Sequence, residues 1–292
     1  MKASATTRDS PMTALRLANA PPVNDLRAIA ARIRGTTIEV SHRGEAPHIA
    51  SSLSTVDVLT AIYWGVLRFD PKQPLDPLRD RFIFSKGHAA AALYSALAHR
   101  GAISWNVLAT FNQNGSTLLE HPGPYSAPGV ELATGSLGHG LSVGLGLAEA
   151  AHIQGTGNRV FVLVGDGECN EGSVWEAALI APARKLENLC VIVDYNKWQA
   201  TDRSQDVTAL EPLVQKWSVF GWHAQELDGH DIDALQKALS AVGTRGDGRP
   251  TAIVAHTVKG RGVSFMEDDN NWHYKICDEK SLDEAFKELG LS

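Results

Sequence analysis

Apolar positions along the chain recur at two periods, and each change of period marks an element. Leu26, Ile29, Ile33 and Thr37 follow helical spacing, which predicts a helix over roughly 24–41. Leu53, Val56, Leu59, Ile62, Tyr63 and Val66 predict a second amphipathic helix, with Ser51 or Ser52 as its cap. Pro71, Pro74 and Pro77 exclude a continuous helix over 70–80. Arg81–Phe84 reads as a short strand, and the Ala-rich stretch 89–99 as a helix. Residues 112–136, rich in Gly, Pro, Ser and Asn, read as a long loop, a feature that inside a compact domain points to function.

In the centre the alternation gives way to uninterrupted apolar runs. Val160–Val164 and Leu189–Val193 read as strands buried on both faces, with a helix over 173–186 between them. Strand, helix and strand in such a short span form a parallel βαβ unit. Thr251–Ala255 is a third strand of this kind, behind a helix near 231–242. The last helix, 281–289, opens on Ser281 with Glu284 at capping-box spacing. The alternation predicts an α/β fold, a mostly parallel sheet with helices on both faces. It spans one ordered domain over 24–292, preceded by a flexible Ser-, Thr- and Pro-containing extension over 1–23.

Composition narrows the function classes. The 292 residues are 43% hydrophobic and 21% charged, near globular averages, which excludes disorder or coiled coil for most of the chain. A net charge of −6 argues against a nucleic-acid partner. No uninterrupted apolar run reaches the length of a membrane span, so no membrane association is expected. Cys169, Cys190 and Cys277 form no CxxC pair, so neither a disulfide framework nor a zinc site is expected and a cytoplasmic setting is the simplest one.

The candidate chemistry lies at strand ends. Asp166 directly follows the first central strand and Asn196 the second. Ligands of open α/β sheets bind beyond the carboxyl ends of the strands, so one βαβ crossover brings both side chains to the same edge. A carboxylate and an amide oxygen are hard ligands suited to Mg²⁺ or Ca²⁺, and Mg²⁺ would keep positions open for substrate phosphates and water. Gly165 and Gly167 let backbone approach phosphate closely, and the next helix points its N-terminus at that charge. Taken alone, Gly-Asp-Gly is also compatible with an ordinary turn and Asn196 with a strand-end cap.

Further residues carry a resemblance. Gly165-Asp166-Gly167-Glu168, Asn170-Glu171-Gly172 and the later Asn196 resemble the thiamine diphosphate motif. Ser85-Lys86-Gly87-His88-Ala89, Thr134–Gly140 and His256–Val263 are similar to segments of the transketolases, and the match runs from about residue 25 onward. The resemblance implies the thiamine-diphosphate-binding fold, with Mg²⁺ on Asp166, Asn196 and the backbone carbonyl of Trp198. It implies cofactor contacts from His88, Leu137, Gly138, Gly165, Asp166, Gly167, Glu168, Asn196 and His273. His48, His88, His121 (in Glu120-His121-Pro122) and His273 match the active-site histidines, and Glu171 and Glu176 match glutamates at a subunit interface. His139 stands where Gln is common, and Glu45–Ala50 departs from a Gly-rich pattern. His42 is left open between site and packing, whereas His99, His152, His223 and His230 read as surface or packing residues. Cys169 reads as a small packed residue, and Lys259 and Arg261 as either anion contacts or a solvated turn.

Only the family's pyrophosphate-binding domain is covered by the resemblance. This implies the N-terminal subunit of a split transketolase, whose partner carries the pyrimidine-binding and C-terminal domains in an α₂β₂ assembly. Trp175, Ile180, Trp198 and Trp272 are candidates for the partner face. The implied reaction moves a two-carbon glycolaldehyde unit from a ketose (phosphate) to an aldose (phosphate). The alternatives are a subunit of another thiamine diphosphate enzyme, similar to deoxyxylulose-phosphate synthase or a decarboxylating dehydrogenase, and a non-catalytic diphosphate-binding protein.

Overall fold

The computed structural model describes residues 14–291. Its helices are α1 (Leu26–Arg43), α2 (Ile49–Leu53), α3 (Val56–Ala61), α4 (Ala90–His99), α5 (Trp105–Leu108), α6 (His139–Gln154), α7 (Gly172–Ala183), α8 (Ser204–Val207), α9 (Leu213–Val219), α10 (Ile232–Ser240) and α11 (Glu279–Glu288). The strands are β1 (Arg81–Phe84), β2 (Val160–Gly165), β3 (Leu189–Tyr195), β4 (His223–Asp228) and β5 (Thr251–His256). They form one sheet in the order β1-β2-β3-β5-β4 with every neighbouring pair parallel. All five carboxyl ends therefore open on the same edge.

Side chains on a strand alternate between faces, so each buried strand feeds two cores. Phe82, Phe84, Phe161, Leu163, Cys190, Ile192 and Ile253 pack with residues of α1, α3, α4 and α10. Ile83, Val160, Val162, Val164, Val191, Val193 and Val254 pack with residues of α6, α7 and α9. A third cluster joins Ile38 of α1 and Ile49 and Leu53 of α2 to Trp272, Leu282 and Phe286. The parallel sheet with helices on both faces follows the apolar runs of the sequence.

Several local expectations are corrected. The part of the expected extension over 1–13 lies outside the described residues, but residues 14–23 are docked. Leu15 and Leu17 are buried, alternating with exposed neighbours, and the Arg16 amide donates to the Glu39 carboxylate at 3.0 Å. Neither Ser51 nor Ser52 caps the second helix. Both are buried inside α2, which His48 opens from a left-handed conformation with φ 66°. That helix breaks at Ser54–Thr55, resumes as α3 and ends in a π-helical turn over Ile62–Val66. By length and mean hydropathy (1.3), Ile49–Val66 matches a membrane-crossing helix, yet 89% of it is buried within the fold. The final helix is capped by Asp278, whose carboxylate accepts from the Ser281 amide, rather than by Ser281.

Helix α6 and strand β4 have no counterpart among the elements expected from the sequence. Strand β4 is an edge strand with four polar residues, His223 and Gln225 half-buried and Glu226 and Asp228 exposed, so it lacks an apolar signature. In α6, Gly140, Gly144 and Gly146 dilute the helical signal. Gly144 is where the helix meets the sheet: a Cβ there would lie 2.4 Å from Val162 Cγ2. Gly144→Ala should therefore destabilise the protein by about 1–3 kcal/mol through overpacking, despite alanine's better helix propensity. Urea unfolding midpoints check this, and a stabilised variant would contradict the close packing of α6 on β2.

Candidate functional site

Beyond the carboxyl ends of β1, β2 and β3 lies a cleft of 340 Å³, lined among others by His48, Lys86, His88, Asp166, Asn196 and His273. Its floor is a buried ion pair. Lys86 Nζ, just past β1, donates to Asp194 Oδ2 near the end of β3 and to the Ser51 carbonyl of α2 at 3.1 Å. Asp194 also accepts from Ser54 Oγ at 2.8 Å, from Thr257 Oγ1 just past β5, and from Asn196 Nδ2 at 3.1 Å. Burial pushes the Asp194 carboxyl up, but the Lys86 ammonium together with the Thr257 and Ser54 hydroxyls outweighs it and holds the group below the usual carboxylate range. One carboxylate thus ties three strand ends and α2 together and turns the Asn196 amide. The sequence alone assigns no role to Lys86 or Asp194, although a charge at the end of an apolar strand is a signal that a partner awaits it.

Asp166 sits above this floor and is 2% exposed. Its Oδ1 accepts from the Gly167 amide at 2.9 Å, and its Oδ2 from the Lys197 amide at 2.9 Å and Ser204 Oγ at 2.8 Å. No Lys, Arg or His pairs with it among the described residues. Burial drives its carboxyl up to about 7, offset in part by Ser204 and increased by the nearby Asp194. The side chain is a buried acceptor set whose hydrogen-bond donors are all neutral. Asn196 Oδ1 faces the Trp198 amide at 3.0 Å, while the Lys197 carbonyl is taken by the Ser204 amide. No backbone amide donates to the Trp198 carbonyl among the described residues. The Trp198 ring is held off by its indole bond to Asp268 (2.8 Å) and by Arg203 stacked at 3.8 Å. A carboxylate and neighbouring neutral oxygens fit a hard divalent cation that completes its shell with phosphate and water. Among the described residues no group of three His, Cys, Asp or Glu side chains gathers for a softer metal. Gln199 Nε2, buried without a hydrogen-bond partner, adds a free donor on the cleft wall.

Glu168 also lines the cleft, but both its oxygens are engaged. It accepts from Ser85 Oγ, from the Gly138 amide at 2.9 Å and from the Gly165 amide at 3.2 Å, clamping β1, β2 and the start of α6 together. Gly138, at φ 87°, is required there: a Cβ would stand 2.6 Å from Glu171 Cβ. Gly165, Gly167 and Leu137 line the cleft, whereas Gly138 does not.

Four histidines from four separate segments converge. The His48 ring centroid is 5.4 Å from that of His88, 6.0 Å from His121 and 4.8 Å from His273. His48, His88 and His273 line the cleft, and His121 stands behind Gly135. Burial lowers all three cleft histidines, His88 well below its ordinary value and His273 to about 3, with the Lys259 ammonium adding to the latter. Neutral imidazoles both donate and accept, which suits phosphate oxygens and sugar hydroxyls. Lys259, which the sequence leaves open between two roles, is 1% exposed and reaches His273 Nδ1 at 3.2 Å and Asn270 Oδ1 at 2.5 Å, so it is no solvated turn.

The remaining candidates lie apart. His42 is taken by the Cys277 carbonyl (2.7 Å) and Glu279, and His230 by Asp57 (2.7 Å) and the Val258 amide. Glu171 is exposed at the rim, and Glu176 is exposed on α7 away from the cleft. Among the four apolar candidates for a partner face, Trp272 is excluded because it is buried in the third core, and Trp175 is half-buried against Trp217 and Phe220. Ile180 is exposed, as are Leu179 on α7 and Val143 and Ile153 on α6.

Comparison with known proteins gives this geometry a family. Residues 26–292 match the family described as transketolase, thiamine diphosphate binding domain. An apulose-4-phosphate transketolase subunit of Phocaeicola vulgatus is 38% identical over 256 residues, 88% of this chain and 90% of that protein. The 6-deoxy-6-sulfo-D-fructose transketolase subunit SqwG of a Clostridium species is 39% identical over 91% of this chain and 96% of its own length. Human transketolase is 34% identical over 90% of this chain, which spans 42% of it. The structure of the Leishmania mexicana transketolase superposes with a TM-score of 0.86 at 29% identity, over 92% of this chain and 42% of that one. The chain belongs to the transketolase N-terminal family, with the thiamine-diphosphate-binding fold of those enzymes.

Proposed function

We propose that this chain is the N-terminal subunit of a two-chain transketolase that uses thiamine diphosphate and Mg²⁺. It transfers a two-carbon glycolaldehyde unit from a ketose (phosphate) to an aldose (phosphate). The observation that carries this reading is the convergence of Asp166, Asn196 and three histidines on one cleft at the carboxyl edge of the sheet. Relatives of nearly the same length named as transketolase subunits support the two-chain arrangement.

Bound thiamine diphosphate supplies the carbon that stabilises the carbanion left by cleavage of a ketose. This chain's residues hold and orient. Asp166, Asn196 and the Trp198 carbonyl would hold Mg²⁺, whose charge would offset that of the diphosphate. The Gly167 backbone leaves the diphosphate room, and His88 and His273 offer hydrogen bonds along it. His48 would meet the hydroxyl-bearing part of the donor sugar, with His121 packed beside it. A partner subunit supplies the pyrimidine side of the site. Exposed Leu179, Ile180 and Val143, with Glu171 and Glu176, form the face it covers in an α₂β₂ assembly with two-fold symmetry.

Co-expression with the partner chain tests the reading. Purified alone, this chain should show no ketol transfer from a panel of ketose phosphates, and the pair should show clear turnover with thiamine diphosphate and Mg²⁺. Turnover by the isolated chain at the pair's rate would contradict the two-chain arrangement, and turnover of pyruvate in place of ketoses would contradict the reaction.

A further inference from the structure

Beside the cleft, against His48, stands a carboxylate that none of the roles above uses. Glu120, from the long loop, meets His48 Nδ1 through Oε1 at 2.8 Å. The His48 backbone is fixed on both sides. Its amide donates to the His273 carbonyl at 2.9 Å, and its own carbonyl accepts from the Ser52 amide and Ser52 Oγ, both at 3.0 Å. With the ring thus placed, what remains to be set is which nitrogen carries the proton.

We infer that Glu120 is a positioning residue that locks His48 in the Nδ1–H tautomer and so aims the Nε2 lone pair into the cleft as an acceptor for a substrate hydroxyl. This rests on the transketolase reading and deepens it. An ionised carboxylate is acceptor-only, so the proton of the 2.8 Å bond belongs to Nδ1. His48 Nε2 has no hydrogen-bond partner among the described residues, and the ring lines the cleft. Its neighbour His273 has the opposite arrangement. Burial lowers the Lys259 pKa to about 8, so below that pH its ammonium, a pure donor, meets His273 Nδ1 at 3.2 Å, with Ser51 Oγ 3.4 Å from the same nitrogen, which leaves Nε2 to carry the proton. Two rings 4.8 Å apart and nearly perpendicular therefore present an acceptor and a donor side by side. Hydroxyl groups, which donate and accept at once, match that pair. The phosphate-bearing end of a substrate, which only accepts, is matched by His273 and not by His48.

The other groups facing His48 are the rings of His88, His121, His273 and Tyr274 and the Lys259 ammonium. Burial lowers the His48 pKa, the Glu120 bond and charge raise it, and His121 and Lys259 lower it. Removing the carboxylate therefore moves the protonation of His48 to lower pH.

The test has two arms. In the full chain labelled with ¹⁵N-histidine, long-range proton–nitrogen correlation at pH 7 should show His48 with a protonated Nδ1 and a pyridine-type Nε2. His48→Asn, which tolerates the left-handed backbone, assigns the resonances. Glu120→Gln should shift the population toward Nε2–H, and Glu120→Asp should retain the wild-type pattern. A pyridine-type Nδ1 in the wild-type chain overturns the inference without recourse to any variant. In the co-expressed pair, Glu120→Gln should lower kcat/KM for a ketose phosphate by at least roughly 10-fold, as loss of an orienting partner does elsewhere. Its acid limb should move to lower pH, with Glu120→Asp restoring both. An unchanged pH profile and kcat/KM in Glu120→Gln overturns the inference. Absence of ketol transfer from the wild-type pair overturns the function reading, and the nitrogen spectrum then decides the tautomer on its own.

Discussion

Asp166→Ala should abolish Mg²⁺-dependent retention of thiamine diphosphate. Outer-shell partners of a metal site each carry about 10- to 100-fold in affinity, and a residue that itself ligates the ion should exceed the upper end of that range. The effect is large because this carboxylate is the one charged member of the oxygen set formed with Asn196 and the Trp198 carbonyl, and it is buried without a cationic partner among the described residues. The fold should survive. The hydrogen bonds lost are those from Ser204 Oγ and the Gly167 and Lys197 amides, set against relief of a charge whose burial already raises its pKa to about 7. Calorimetric titration of the co-purified pair with cofactor, in Mg²⁺ and in EDTA, checks this. Wild type should respond to EDTA and the variant should not. A variant that still binds cofactor tightly and loses it in EDTA would remove Asp166 from the site.

Lys86→Met should cost roughly 3–5 kcal/mol of folding stability, the range seen when one member of a buried ion pair is removed. Lys86 is 1% exposed and Asp194 is fully buried, so water cannot replace the lost ammonium. The remaining donors to Asp194, from Ser54, Thr257 and Asn196, are neutral. The damage should also reach function, since the same carboxylate holds the Asn196 amide. Urea unfolding of the variant gives the stability term. A loss below about 1 kcal/mol, the worth of an exposed pair, would contradict the buried-pair description.

Legibility in the sequence follows burial. Strands β2, β3 and β5 are apolar on both faces, and an uninterrupted run of Val, Ile and Leu admits few other readings. Strand β4 carries four polar residues and no fully buried one at the sheet edge, and α6 trades helix propensity for close contact through Gly140 and Gly144. In both cases tertiary packing, invisible in a local window, decides the conformation. Asp166 and Asn196 are legible because the crossover rule fixes which sheet edge they share. Glu120 and Lys86 are not, because their roles depend on His48 and Asp194, residues that lie 72 and 108 positions away and meet them only in the fold. The docking of Leu15 and Leu17 is hidden for a related reason: two apolar residues in an irregular segment give no period.

The central claim is that two side chains on adjacent strand ends share one hard cation. A crystal structure of the chain with thiamine diphosphate and Mn²⁺ in place of Mg²⁺, with the metal located by its anomalous signal, tests it directly. The account predicts one peak bridging the diphosphate, with an Asp166 carboxylate oxygen and the Asn196 side-chain oxygen both about 2.1–2.2 Å away, close to Mg²⁺ geometry. A peak ligated by only one of the two, or lying elsewhere in the cleft, would contradict it.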